Sequence, residues 1–329
     1  LEKWNVSSVT DMRQMFFFCK SFNQPLEKWD VSNVTDMNGM FYGCSLFNQP
    51  LAGWNVGKVT NMESMFSSSH FNQPIGSWNT ANVENMENMF YFNRVFNQPI
   101  GNWKTSKVTN MKGMFQYCDA FNQPLEDWDM SNVENVKSMF NSCKSFNQPL
   151  GKWKLKKVKT MEHMFSECHA FNQPLEDWDV SKVENMSYMF RSCRSFNQPL
   201  SKWKTSKVTN MEGMFEHCYA FNQPLEDWDV SKVKDMTSMF HFCTSFNQPL
   251  GKWKVKTKLG LITPTNYSKT LIGWNTLGVK VEFGDDVKDL VYTAEAHDAH
   301  AALIANGCTL EGDKEEAAGI RIVDGADPI

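Results

Sequence analysis

The chain has 329 residues, a formal net charge of −4 and a hydrophobic content of 41%. That content excludes a chain too polar to fold, and the near-neutral balance argues against nucleic acid as a general partner. Apolar runs are only a few residues long, so no segment is expected to span a membrane.

Phe-Asn-Gln-Pro recurs ten times, starting at Phe22, Phe47, Phe71, Phe96, Phe121, Phe146, Phe171, Phe196, Phe221 and Phe246, in steps of 25 residues with one of 24. A fixed period of this size predicts stacked rungs in which equivalent residues form ladders. Leu1 stands at the fifth repeat position, so the chain starts inside a rung. The expectation is a processed or truncated product, for which the lack of a visible signal peptide is uninformative.

In the rung from Phe22, the first half reads as extended chain, with Phe22, Leu26, Trp29, Val31 and Val34 apolar. Pro25 cannot donate to a ladder and is placed at a corner, and a short strand is expected near Leu26 to Val31. Asn23 and Gln24 are expected to bond neighbouring rungs through their side-chain amides. In the second half Met37, Met40, Phe41 and Cys44 stand at i, i+3, i+4 and i+7, the apolar stripe of a short helix, with Thr35 or Asp36 where an N-cap belongs. The predicted fold is therefore α/β, a right-handed leucine-rich-repeat-type solenoid with one strand and one helix per rung over residues 1–257. The 24-residue step shortens the segment between Phe66 and Phe71, which predicts a loop at the helix end.

Tryptophan recurs eleven times in the repeats, from Trp4 to Trp253, and reads as core packing or, alternatively, as a stacking platform for sugars. Nineteen of the 20 methionines fill the two periodic positions and read as core. Cys19, Cys44, Cys118, Cys143, Cys168, Cys193, Cys218 and Cys243 hold one repeat position and are expected as reduced, buried thiols, since no C-x-x-C zinc spacing occurs. Around the tryptophans charge alternates between rungs: Glu126, Asp127 and Asp129; Lys152 and Lys154; Glu176, Asp177 and Asp179; Lys202 and Lys204; Glu226, Asp227 and Asp229; Lys252 and Lys254. Stacked opposite charges give each carboxylate an ammonium above and below. The stripe reads as register control or as a recognition surface. His163, His169, His217 and His241 carry no motif, and His297 and His300 stand three apart on a predicted helix, more as a solvated face than a metal pair. No catalytic, cofactor or metal motif is found.

The repeat fails after Val255, and residues 258–329 are expected to be a small α/β cap on the last rung. Residues 259–329 carry a balance of −7, leaving +3 to the rest of the chain. Thr263-Pro264 predicts a helix start running through Leu271 and Trp274, Val279 to Phe283 a strand, Ala294 to Asn306 a helix capped by Thr293 and ended at Gly307, and Thr309 to Glu311 a last strand. The final residues are expected to be disordered.

The block Met15 to Met37, with Met-Phe-x-x-Cys, Phe-Asn-Gln-Pro-Leu, Trp and Asp-Val-Ser, resembles the BspA-like leucine-rich-repeat surface proteins of bacteria. The tail resembles the segment that follows such repeats at Asn266-Tyr267, Leu271 to Trp274, Tyr292 and Ala301 to Leu303, with His300 where an arginine is expected. The resemblance implies a secreted or cell-surface bacterial protein acting in adhesion to host or matrix protein, and carries over no catalytic residue. The leading expectation is a non-enzymatic interaction protein that binds a macromolecule along one face. Alternatives are a glycan binder using the tryptophans and a structural spacer that displays another domain.

Overall fold

The computed structural model describes residues 1, 3–236, 238–246, 248, 253, 271–272, 275, 282–284, 291–310 and 313–315. The repeats lie on top of one another in register. Isolated parallel bridges link Asp11 to Asp36, Asp36 to Asn61, Asn61 to Asn85, Asn85 to Asn110 and Asn110 to Asn135, and again Thr160 through Asn185 and Asn210 to Asp235. The rung-to-rung register is thus one full repeat, and the 24-residue step is absorbed without a break in the bridging.

Neither the predicted helix nor the predicted strand of each rung forms among the described residues. The Met-x-x-Met-Phe-x-x-Cys segment is two consecutive β-turns. In the second rung the Met40 N–H donates to the Met37 carbonyl at 3.1 Å, and the Cys44 N–H to the Phe41 carbonyl at 3.1 Å. The third residue of each turn has positive φ, +60° at Gly39 and +70° at Gly43. Positive φ at that position alone makes them type II turns. The pattern repeats from Gln14 and Phe18 to Ser238 and Phe242, and sixteen of these left-handed residues are not glycine.

The misreading has a simple physical cause. First and fourth residues of two tandem turns fall at i, i+3, i+4 and i+7, the spacing of a helical stripe. Both geometries turn those four side chains inward: Met37, Met40, Phe41 and Cys44 are fully buried. What differs is the hydrogen bonding. The N–H groups of Met37, Gly39, Phe41 and Gly43 donate to the carbonyls of Asn61, Glu63, Met65 and Ser67 in the next rung, at 2.8 to 3.0 Å, where a helix would bond four residues back along its own chain. In place of an N-cap, Asp36 Oδ1 accepts the Asn38 N–H at 2.8 Å in a local side-chain turn.

The first half of each rung also turns rather than extends. The Trp29 N–H donates to Leu26, and the Val34 N–H to Val31. The interior holds parallel aromatic columns. Phe41, Phe66, Phe90 and Phe115 stack at 5.6 to 5.8 Å. Each also stacks on the following Phe-Asn-Gln-Pro phenylalanine, Phe41 on Phe47 at 4.1 Å. Tryptophans form a further column, with Trp78, Trp103 and Trp128 spaced at 6.3 Å and interplanar angles of 2°. The deletion falls after the second turn of its rung. Ser69 takes the cysteine position there, and in the next rung Asn93 does. Both are buried, and Asn93 Nδ2 donates to Ser69 Oγ at 3.3 Å and to the Phe71 carbonyl at 2.9 Å, so neither is left unpaired.

In the tail, residues 271, 272 and 275 are helical. The described elements that follow are β1 (Glu282–Gly284), β2 (Val291–Tyr292), a 3-10 turn (Ala294–Ala296), α1 (His297–Ala305), β3 (Thr309–Leu310) and β4 (Lys314–Glu315). β1 pairs with β3, and β2 with β4, both parallel. Thr293 precedes the 3-10 turn in extended conformation but gives no side-chain capping bond. Gly307 follows α1 at φ +86°, the left-handed residue that ends a helix. The predicted helix start at Thr263-Pro264 and the final residues lie outside the described residues.

Left-handed backbone sets a testable asymmetry between glycines. Gly213 has φ +54°, and a Cβ there would press into the Tyr188 ring, whereas Gly53 has nothing near its Cβ direction. Gly213→Ala is expected to lower stability by about 1–3 kcal/mol in denaturant unfolding. Gly53→Ala is expected to be neutral or stabilising by up to about 1 kcal/mol.

Candidate functional site

The charged stripe predicted beside the tryptophans is present in part. Lys152 Nζ lies 3.3 Å from Glu126 and 3.1 Å from Asp127, and Lys202 Nζ lies 3.4 Å from Glu176 and 3.1 Å from Asp177. Each lysine bonds only to the preceding rung among the described residues, so the row consists of separate pairs and not of continuous alternation. Asp129, Asp179 and Asp229 are drawn instead into their own rungs, accepting the N–H groups of Ser131, Ser181 and Ser231 at 3.0 to 3.1 Å. The serine hydroxyl, and then its N–H, hold Asp129 and Asp179 below the usual carboxylate range; Lys204 adds longer-range attraction at Asp179. Lys154 is exposed and makes no side-chain hydrogen bond or ion pair among the described residues. Asp227 belongs to the next pair of rungs, and Lys252 and Lys254 lie outside the described residues. The lysines and Asp127 and Asp177 are highly exposed, where ion pairs contribute little. The stripe aligns rungs, and Asp127 and Asp129 line a surface depression together with Asn102, Lys104 and Ser106 of the preceding rung.

The other ladders face inward. Trp54, Trp78, Trp103, Trp128, Trp153, Trp178, Trp203 and Trp228 are at most 3% exposed. Each indole Nε1 donates to the carbonyl of the Leu or Ile after the proline one rung back, Trp54 to Leu26 at 3.0 Å and Trp78 to Leu51 at 3.0 Å. Among the described residues only Trp4, in the first rung, is an exposed tryptophan. The tryptophans therefore offer no sugar platform along the stack. The repeat cysteines are unbridged thiols. Cys44 Sγ donates to the Phe16 carbonyl at 3.0 Å, a contact repeated from Cys118 to Cys243. Burial pushes the Cys44 and Cys243 thiols up to about 12. The Asn-Gln ladder bonds as its sequence implies: Asn23 Oδ1 accepts the Asn48 N–H at 3.1 Å and the Gln49 amide at 3.0 Å.

The face built by the tandem turns is the candidate site. Most of their second and third residues are half-buried or exposed, with Ser67, Ser138, Ser142, Ser166 and Ser187 buried among them, and they differ from rung to rung while the framework stays constant. Ion pairs join some rungs, Lys112 to Glu87 at 2.8 Å and Lys137 to Glu162 at 2.8 Å. Aromatics gather at three levels. Phe17 and Phe18 pack on Tyr42 at 4.9 and 5.2 Å. Phe92 packs on Tyr117 at 5.3 Å with Arg94 above its ring at 4.6 Å. His217 stacks on Phe242 at 4.7 Å. Phe17, Phe18, Phe92, Tyr219 and Phe242 are between 39% and 52% exposed, and Leu46 and Val95 are exposed as well. Sequence reasoning missed this face because it compared what the rungs share. The available signal was the opposite one, the positions at which near-identical rungs disagree.

The predicted pair His297 and His300 is not brought together on a common ligand. His297 Nδ1 lies 2.8 Å from Glu315, and His300 Nε2 lies 2.9 Å from Asp313. Among the described residues no helix is long and apolar enough to cross a membrane.

The chain belongs to the family described as "Mycoplasma protein of unknown function, DUF285", which matches residues 1–98, 68–178 and 159–262. This overturns the resemblance to BspA-like leucine-rich-repeat surface proteins, and with it goes the ground for a cell-surface location. No curated protein matches the chain.

The burial of the thiol column is directly measurable. Alkylation of the native chain is expected to label Cys19, which is exposed, and to leave Cys44 and Cys118 through Cys243 unmodified until denaturant is added. Mass spectrometry of the labelled peptides reads the difference.

Proposed function

We propose that this member of the DUF285 family is a non-catalytic interaction protein, a solenoid that binds a protein partner along its double-turn face. The observation that carries the reading is the division of labour within each rung. Inward positions are nearly constant, whereas the outward turn positions vary and leave apolar rings in water at three levels. Large exposed rings beside charged and polar neighbours are the composition of binding hot spots. Left-handed backbone at Phe18, Phe92 and Phe242, with φ of +57° to +59°, supports the same reading. An aromatic side chain is disfavoured there, and Gly or Asn would relieve the strain.

The test uses Phe18→Asn, Phe92→Asn and Phe242→Asn combined, since asparagine tolerates the left-handed conformation. A protein-array screen followed by surface plasmon resonance on the purified hits is expected to find a protein binder of the parent chain. The triple variant should lose about 2 kcal/mol, roughly 30-fold in Kd, while Lys152→Ala with Lys202→Ala binds as the parent does. Equal binding by the triple variant, or loss on changing the two lysines, would contradict the assignment of the face.

A further inference from the structure

At the last described levels of the double-turn face, three side chains converge whose chemistry differs from that of the apolar patches. Glu216 and His241 hold the same turn position in consecutive rungs, and His217 follows Glu216 at φ +59°. Glu216 Oε1 lies 3.4 Å from His241 Nδ1 and 3.9 Å from His217 Nε2. One ligand atom from each of the three lies within 4.8 Å of the others, and all three residues are half-buried. We propose that Glu216, His217 and His241 form a binding site for a divalent transition-metal ion, with Zn²⁺ the best fit.

Two imidazoles and one carboxylate form a donor set suited to zinc and its neighbours; calcium and magnesium favour all-oxygen sites. Ligands around a tetrahedral zinc with bonds of about 2.0–2.1 Å stand roughly 3.3 Å apart. The Glu216–His241 separation already has that value. The widest gap, no more than 4.8 Å, closes by about 1.5 Å, within reach of side-chain torsions. The ligands are also held from behind, as metal ligands usually are. Arg191 Nε donates to Glu216 Oε2 at 2.8 Å, leaving Oε1 toward the histidines. Tyr219 Oη stands 3.2 Å from His217 Nδ1, so Nε2 is the nitrogen left for the ion. Phe242 stacks on the His217 ring and fixes its plane. Part of the Arg191 charge is met by Glu167 at 3.6 Å, which moderates its repulsion of a cation. Three protein ligands leave one position for water or an incoming ligand. The site is invisible in the linear sequence because its ligands sit on two rungs, His241 standing 25 residues after Glu216 and 24 after His217, with no short metal motif.

The experiment titrates the full chain carrying Cys19→Ser, stripped of metal by a chelator, with Zn²⁺ in a calorimeter and with Co²⁺ by visible absorption. One equivalent of Zn²⁺ is expected to bind, and Co²⁺ should give the intense bands of a site with fewer than six ligands. His217→Asn or His241→Ala should each weaken binding by more than about 100-fold, beyond the effect of an outer contact, and Tyr219→Phe by about 10-fold. Far-UV circular dichroism checks that each variant remains folded. His297→Ala with His300→Ala should bind as the parent does. If the parent binds Zn²⁺ no more tightly than the Glu216→Gln, His217→Asn, His241→Ala triple variant, or if binding tracks His297 and His300, the site does not exist.

Discussion

Everything in the repeats rests on one constraint: the backbone N–H groups of the tandem turns find their acceptors in the next rung. Gly39 donates to Glu63 and Gly43 to Ser67, both at 2.8 Å. Those bonds require the third residue of each turn to take a left-handed conformation, because only then does its N–H point along the stack. A buried amide without an acceptor costs about 1–3 kcal/mol. Four such bonds per rung therefore outweigh the conformational strain of placing serine, tyrosine or histidine where glycine would sit more easily.

Stacking in this way dictates what each ladder does. Rungs bonded in strict register bring equivalent rings to ring-stacking distance, and the phenylalanine and tryptophan columns follow. The same register leaves carbonyls of the rung behind facing the interior, and an indole N–H or a thiol takes them up: Trp54 bonds Leu26, and Cys44 bonds Phe16. Cysteine therefore acts here as a weak polar donor of the right size; in its place Ser69 bonds the Phe66 carbonyl of its own turn, and Asn93 reaches back to Ser69 and the Phe71 carbonyl. Side chains on the outer corners of the turns take no part in this network. They are free to vary between rungs, and the apolar rings and the Glu216, His217 and His241 cluster gather there.

The repeat period, the inward positions and the inter-rung amide ladder were legible in the sequence, because each depends only on a side chain recurring at fixed spacing. The local geometry was not read correctly. Met37, Met40, Phe41 and Cys44 have a spacing common to a helix and to paired turns, and periodicity alone does not separate them. Gly39 and Gly43, four apart inside the supposed helix, held the distinguishing information, since glycine weakens a helix and favours left-handed turns. The alternating charges were visible but overread. Asp129 and Asp179 bond their own serines before they meet a lysine, and an adjacent N–H outcompetes an exposed ammonium one rung away. The double-turn face and the glutamate–histidine cluster depend on which residues point outward, which followed only once the turns were known.

Hydrogen-bond correlations across the rungs test this account most directly. A long-range carbonyl–nitrogen NMR experiment on deuterated chain reports which carbonyl accepts each amide. The turn stack predicts correlations from Gly39 N–H to the Glu63 carbonyl, from Gly43 to Ser67 and from Gly113 to Lys137. Correlations from these glycines to carbonyls four residues earlier in their own rung would mean helices, and would contradict the structure on which the rest is built.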